Sequence, residues 1–108
     1  MYAGKFENGY IVYGILYLNN IIYEGSIKNN LAHGDGIFYD SNNNKIYEGQ
    51  VTRGTKHGIG ISYWITGAKN WEGGWNVNKK HGKGRLYDDN NVLICICEHI
   101  NDVIINIE

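Results

Sequence analysis

Tyr23-Glu24-Gly25 is followed, ten residues after its tyrosine, by His33-Gly34-Asp35-Gly36. The pairing returns as Tyr47-Glu48-Gly49 with His57-Gly58-Ile59-Gly60, and as Trp71-Glu72-Gly73 with His81-Gly82-Lys83-Gly84, at a spacing of 24 residues. A fixed period of this size marks a repeat array, in which each unit is one supersecondary element that hides its apolar face against its neighbours. A chain of 108 residues is then one small domain or a short solenoid.

Residues 1–94 divide into four units, 2–22, 23–46, 47–70 and 71–94. The first is shortened. A degraded fifth start follows at Cys95-Ile96-Cys97, where cysteine stands at both the aromatic and the glycine position. Within each unit the side chains alternate: Tyr23, Gly25 and Ile27 share one face, as do Gly34, Gly36 and Phe38. Alternation twice per unit with a short connection reads as one β-hairpin per repeat. Seven residues after each initial aromatic stand Gly9, Asn30, Gly54 and Asn78, the residue types that tolerate positive φ, so a left-handed backbone is expected there. Turn formers such as Ser41-Asn42-Asn43-Asn44 and Asp88-Asp89-Asn90-Asn91 separate the units. No segment has helical periodicity. The expected fold is all-β: a single-layer antiparallel meander of about ten strands, elongated and grooved. Residues 95–108 read as a capping hairpin about Asn101-Asp102, whose Glu108 and inward-pointing Asn106 guard the last edge. The N-terminal edge has no such guard, so either a segment precedes it or that edge pairs with a partner.

Fifteen glycines and no proline need a structural reason, because glycine weakens strands. A one-layer sheet has no second layer to cover its apolar face. Large rings laid flat over neighbouring glycines solve this. Each buried aromatic hides roughly 150–250 Å², worth several kcal/mol at ~25 cal/mol per Å² as an upper bound. That outweighs the ~1 kcal/mol entropic cost of a strand glycine.

The overall charge of −1 provides no field to steer nucleic acid or a membrane surface to the chain, and no nucleic-acid partner is expected. No run of 18 apolar residues and no secretory leader pattern is present. Cys95 and Cys97, two apart on one strand, are poorly placed to bridge each other, which points to a reducing, cytoplasmic setting. His33, His57 and His81 recur in register, but equivalent residues one hairpin apart lie roughly 9–10 Å from each other, too far for one zinc ion with nitrogens at ~2.1 Å. They read as structural loop histidines. Glu24, Glu48 and Glu72 also stack in register, on a solvated face. No nucleophile–base pair, metal cluster or cofactor motif is visible, so no catalysis and no cofactor are expected.

Two surfaces remain as candidates. Tyr2, Phe6, Tyr23, Phe38, Tyr47, Trp71 and Trp75 would line an aromatic groove suited to a docked peptide or helix. Residues 53–85 carry seven basic side chains against the single acid Glu72. Of these Arg53, Lys56, Lys79, Lys80, Lys83 and Arg85 would form a patch for anionic lipid, or for the acidic end of a second copy.

Tyr-x-Gly, a bulky residue two further on (Phe6, Ile27, Val51, Trp75), a loop Gly or Asn, then Gly-x-Gly resembles the MORN repeat, the membrane occupation and recognition nexus, over residues 2–94. The resemblance implies an elongated, grooved β array that acts in protein–protein interaction and scaffolding, often in oligomers. It also brings phosphoinositide binding into view. The expected role is a non-catalytic protein-interaction module working through the aromatic groove or the open N-terminal strand edge. Peripheral anionic-lipid binding and a small ligand held between the aromatics are the alternatives.

Overall fold

The computed structural model describes the backbone of residues 2–7 and 10–108, and side chains from Val12 onward. Ten strands follow one another as β1 (Tyr2–Glu7), β2 (Tyr10–Leu18), β3 (Ile21–Lys28), β4 (Leu31–Asp40), β5 (Lys45–Thr52), β6 (Thr55–Tyr63), β7 (Lys69–Asn76), β8 (Lys79–Tyr87), β9 (Leu93–Ile100) and β10 (Val103–Ile107). They form one sheet in sequence order, each strand antiparallel to the next. The expected meander is therefore the observed one. It measures 48 × 25 × 18 Å, with a radius of gyration of 14.7 Å, against about 13 Å for a compact domain of this length.

One line of glycines crosses the whole sheet. Gly4, Gly14, Gly25, Gly36, Gly49, Gly60, Gly73 and Gly84 are each paired directly with the next, and the line ends where Cys97 faces Gly84. Against this floor lie Tyr23, Tyr47 and Trp71, all 0% exposed. A Cβ on Gly36 would fall within the ring of Tyr23, and one on Gly60 within that of Tyr47. At Gly84 it would meet Trp71 Cη2 at 2.8 Å. Phe38 and Trp75 fill the gaps. Tyr23 and Phe38 sit 5.1 Å apart by ring centroids, Phe38 and Tyr47 6.0 Å, and Tyr47 and Trp75 5.4 Å edge-to-face, within the range of favourable aromatic pairs. This row, with Leu16, Ile27, Ala32, Val51 and Cys97, is the core.

The rings also have a polar task. The register shifts between Gly25 and Ile27, Gly49 and Val51, and Gly73 and Trp75. At each shift three residues of the following strand bulge past a single residue, Ser26, Gln50 or Gly74, which has no partner in that ladder. Its carbonyl is taken up by the ring three residues earlier. Tyr23 Oη donates to Ser26 O at 2.7 Å, Tyr47 Oη to Gln50 O at 2.7 Å, and Trp71 Nε1 to Gly74 O at 2.9 Å. Phenylalanine could cover the glycines but could not do this, which accounts for Tyr and Trp at the position.

The two glycines of each Gly-x-Gly serve different needs. Gly36, Gly60 and Gly84 make room for a ring. Gly58 and Gly82, in the middle of the bulge, sit at φ 97° and 89°, a region that side chains disfavour.

The hairpin loops have positive φ at both central residues: Asn29-Asn30, Arg53-Gly54, Val77-Asn78 and Asn101-Asp102. That is the turn whose twist matches paired strands. Asn30, Gly54 and Asn78 are thus left-handed as expected, while Gly9 lies outside the described residues. The partner positions, Arg53 and Val77, were not legible from residue type. The last three of these loops also bond to the preceding repeat. Gly54 N donates to Ala32 O at 2.9 Å, Asn78 N to Lys56 O at 3.0 Å and Asp102 N to Lys80 O at 2.9 Å. In return Asn78 Oδ1 accepts from Lys56 N at 2.9 Å and Asp102 Oδ1 from Lys80 N at 2.7 Å. Gly54 lacks the side chain to return the bond.

The closing hairpin turns at Asn101-Asp102, but Asn106 does not point inward. It is exposed and pairs with Glu98, on the face away from the rings; Ile104 and Ile107, opposite His99 and Cys97, take the ring side. A register shift between Ile104 and Asn106 moves the alternation out of step with the sequence pattern.

Tyr47→Phe removes the donor to Gln50 O and is expected to cost about 1–3 kcal/mol for the stranded carbonyl, a fall in Tm of ~4–8 °C per kcal/mol in thermal melts. Gly54→Asn keeps the left-handed turn in open space and adds a bond to Ala32 N; it should raise stability by about 0.5–1.5 kcal/mol in the same assay.

Candidate functional site

The sheet has two unlike faces. On the ring face, the residues proposed to line an aromatic groove are interior. Tyr23, Tyr47 and Trp71 expose nothing, and Phe38 and Trp75 are buried. The side chains of Tyr2 and Phe6 lie outside the described set. The groove reading is corrected accordingly: the rings are the core of a one-layer fold and leave little area for a partner. Lys56 closes over them, its Nζ 5.5 Å from the Tyr47 centroid and 5.2 Å from that of Trp75. Burial, with Lys80 nearby, holds its ammonium below the usual lysine range.

The basic residues do not form one patch. Lys80 pairs with Trp75 on the ring face, where Lys56 also lies. Lys83 pairs with Glu98, and Arg85 with Glu72 and Ile96, on the opposite face. Arg53 is in a turn, and Lys79 opens β8 beside Asn76. The period of two that alternates strand side chains divides what the linear sequence groups.

The opposite face carries a cross-strand row that runs Ile15, Glu24, Ile37, Glu48, Ile61, Glu72, Arg85, Ile96. Glu48 accepts from Lys45 Nζ at 3.0 Å and from Tyr63 Oη at 3.4 Å; Glu72 accepts from Lys69 Nζ at 3.2 Å and from Tyr87 Oη at 3.4 Å. Glu48 raises the pKa of Lys45, and Glu72 that of Lys69. Such exposed pairs contribute ~0–1 kcal/mol. They organise the surface more than they stabilise it. In the second unit the slot of Lys45 holds Ile21, so Glu24 has no lysine among the described residues.

Around Glu24 the face is concave. A depression of about 420 Å³ is lined by Tyr13, Glu24, Ser26, Asp35, Ile37 and Glu48 over the glycine floor. A second of about 340 Å³ shares Asp35 and continues past His33, Gln50 and His57. Together they make an open trough with three carboxylates and flanking apolar groups. This arrangement can hold a ligand by contact area and charge. Among the described residues no group of three His, Cys, Asp or Glu side chains could hold a metal ion.

The family model for the MORN repeat matches residues 23–45, 47–69 and 71–92, well over half of the 108 residues. The chain belongs to the MORN-repeat family. This is a family of binding and scaffold repeats, associated with protein and membrane-lipid interactions. No curated protein matches the chain. The shortened first unit and the fifth start fall outside the matched MORN repeats.

The in-register histidines of the MORN units stand inside strands, not loops. His33 Nδ1 accepts from Arg53 N at 3.3 Å, again tying one repeat to the next. Cys95 and Cys97 are both free thiols, although their sulfurs are 2.9 Å apart, closer than the sequence suggested. Burial, then the neighbouring Cys95, pushes the Cys97 thiol up to about 12.

Sequence reasoning missed three features. One is the Lys–Glu–Tyr trio, although Tyr63/Tyr87 and Lys45/Lys69 recur at the repeat period. Another is Trp64, whose Nε1 donates to Tyr87 O at 3.0 Å and links two outer turns. The third is His99, which takes the slot of Ile27, Val51 and Trp75 and lies 4.5 Å from the Trp71 ring. Burial lowers the His99 pKa, Lys80 lowers it further, and Asp102 partly opposes them.

The depressed pKa gives a sign. The unfolded chain takes up a proton near pH ~6.5 while folded His99 does not. Stability is then complete above that pH and declines as pH falls below it. Thermal melts from pH 8 towards 5 should show this decline, and His99→Phe should flatten that part of the profile.

Proposed function

We propose that this MORN array is a non-catalytic protein-interaction module that takes its partner on the open face, along the trough of Tyr13, Glu24, Asp35, Ile37 and Glu48. One observation carries the reading. With the rings committed to the core, the opposite face is where concavity and apolar contact meet Glu24 and Asp35, neither of which is ion-paired among the described residues. The backbone beneath belongs to one sheet, and the Tyr23 hydroxyl takes up the carbonyl left at the Ser26 register shift, so the trough is preorganised and little ordering entropy is lost when a partner docks. Its carboxylates favour a segment that presents cationic groups, and opposite charge across an interface speeds encounter and fixes register. The sheet supplies binding and positioning; the reacting groups of an enzyme are not part of the proposal. A cytoplasmic setting suits two cysteines that remain unbridged.

Charge reversal tests it. Glu24→Lys with Glu48→Lys should weaken capture of a bound partner at least about tenfold, as two reversed rim charges would, in calorimetric titration. Melting should change little, because both side chains are partly solvated. Undiminished binding in this double variant would remove the trough as the site. Loss of binding in Lys56→Ala instead would return attention to the ring face.

A further inference from the structure

Two thiols face each other at the fifth repeat start. At 24 residues beyond Trp71 and Gly73, where the array calls for a ring and a glycine, stand Cys95 and Cys97. Both lie on the ring face of β9, Cys95 opposite Leu86 and Cys97 opposite Gly84. Their sulfurs are 2.9 Å apart, with Cys95 donating to Cys97. Cys97 is 2% exposed, and His99, next along the same face, is 3% exposed and packs on the Trp71 ring. Cys95 is half-buried, so one sulfur of the pair is reachable from outside.

Two sulfurs leaning together can close a disulfide or chelate a metal ion, and strand geometry separates the two outcomes. A rise of ~3.3 Å per residue sets side chains two apart on a strand at about 6–7 Å, whereas a disulfide draws its Cβ atoms to ~3.5–4.5 Å. Closing that bond would buckle β9, which is paired on both sides. A linear sulfur–metal–sulfur unit asks for less. With metal–thiolate bonds of roughly 2.3 Å its sulfurs stand about 4.6 Å apart. That separation falls between the present 2.9 Å and the ~6–7 Å of two upright side chains. Turning one sulfur away from the other reaches it with the backbone in place.

We propose that Cys95 and Cys97 form a two-coordinate site for a soft monovalent metal ion, Cu(I). The number of ligands selects the ion. Zinc asks for four ligands, or three and a water, and among the described residues no group of three His, Cys, Asp or Glu side chains could hold a metal ion. Thiolates favour soft ions, and Cu(I), with its filled d shell, is satisfied by two sulfurs in a line. Binding replaces two S–H bonds with two Cu–S bonds and involves no oxidation or reduction. One Cu(I) and two thiols give a bis-thiolate complex of charge −1, and two protons leave to solvent. Lys80, which acts on His99 from β8, brings positive charge to the buried end of the site. The reducing setting proposed above keeps both sulfurs as thiols and copper as Cu(I). The site lies on the ring face, apart from the trough, and does not rest on the partner reading.

The test is an anaerobic titration of the full chain, reduced and freed of small thiols, against a coloured Cu(I) chelate. The wild type should withdraw one equivalent of Cu(I). Cys95→Ser should weaken binding by more than the 10–100-fold that changing an outer-shell group costs. Its melting should change little, because the side chain is half-buried. Cys97→Ser should weaken binding as much, but it sets a hydroxyl in the core, so Cys95→Ser is the deciding variant. Two readouts need no variant. X-ray absorption on the loaded wild type should show two sulfur neighbours and no nitrogen, and bound Cu(I) should protect both thiols from alkylation. Zn(II) at the same concentration should be neither retained nor protective. No copper withdrawn, undiminished affinity in Cys95→Ser, nitrogen among the neighbours, or equal retention of Zn(II) would each overturn the proposal.

Discussion

A ring laid against bare backbone is the contact on which the rest of this protein depends. Tyr23, Tyr47 and Trp71 reach zero exposure in a sheet one layer thick because the positions beneath them lack a Cβ. The ring covers the glycine and the glycine admits the ring, so neither is useful alone. The glycine line across the sheet is the footprint of this exchange, repeated once per strand. It ends at Cys97, where no ring needs the space.

The same side chains also settle the hydrogen bonding. Bending a strand through a bulge strands one carbonyl, and a buried carbonyl without a donor is costly. The phenol of Tyr23 or Tyr47 and the indole of Trp71 each meet one such group while their rings pack. Between repeats, the loops at Gly54, Asn78 and Asp102 bond back to the preceding hairpin. Stability is therefore local and additive along the array, as in other repeat proteins where each unit touches only its neighbours.

Turning the rings into the core has a functional consequence. A two-layer protein can use its aromatics at an interface and its aliphatics inside. A one-layer sheet needs its largest side chains for cohesion, and the other face is the one we propose for recognition. There, of the residues that alternate with the rings, Glu24 and Glu48 sit between isoleucines of the adjacent strands, and Glu72 sits between Ile61 and Arg85. Where lysines answer them the surface is internally balanced. Where Ile21 replaces the lysine, beside Glu24 and Asp35, charge is left available for a partner.

The period of 24 and the alternation within each unit were enough to specify hairpins, their order and the need for glycine under each aromatic. Those are nearest-neighbour facts, and local sequence carries them. Left-handed turns at Asn30, Gly54 and Asn78 were readable for the same reason, since few residue types tolerate that backbone. Three things were decided only by tertiary structure. The bulges opposite Ser26, Gln50 and Gly74 leave carbonyls that call for Tyr or Trp, and a bulge is a property of two paired strands. The sorting of Lys56 and Lys80 to one face and Lys83 and Arg85 to the other depends on pleat, which scatters a cluster that is continuous along the chain. Exposure was the third. The sequence marked the aromatics as large and apolar, but whether such a side chain faces a partner or its own backbone is settled by what lies beneath it, and that is known only once the strands are laid side by side.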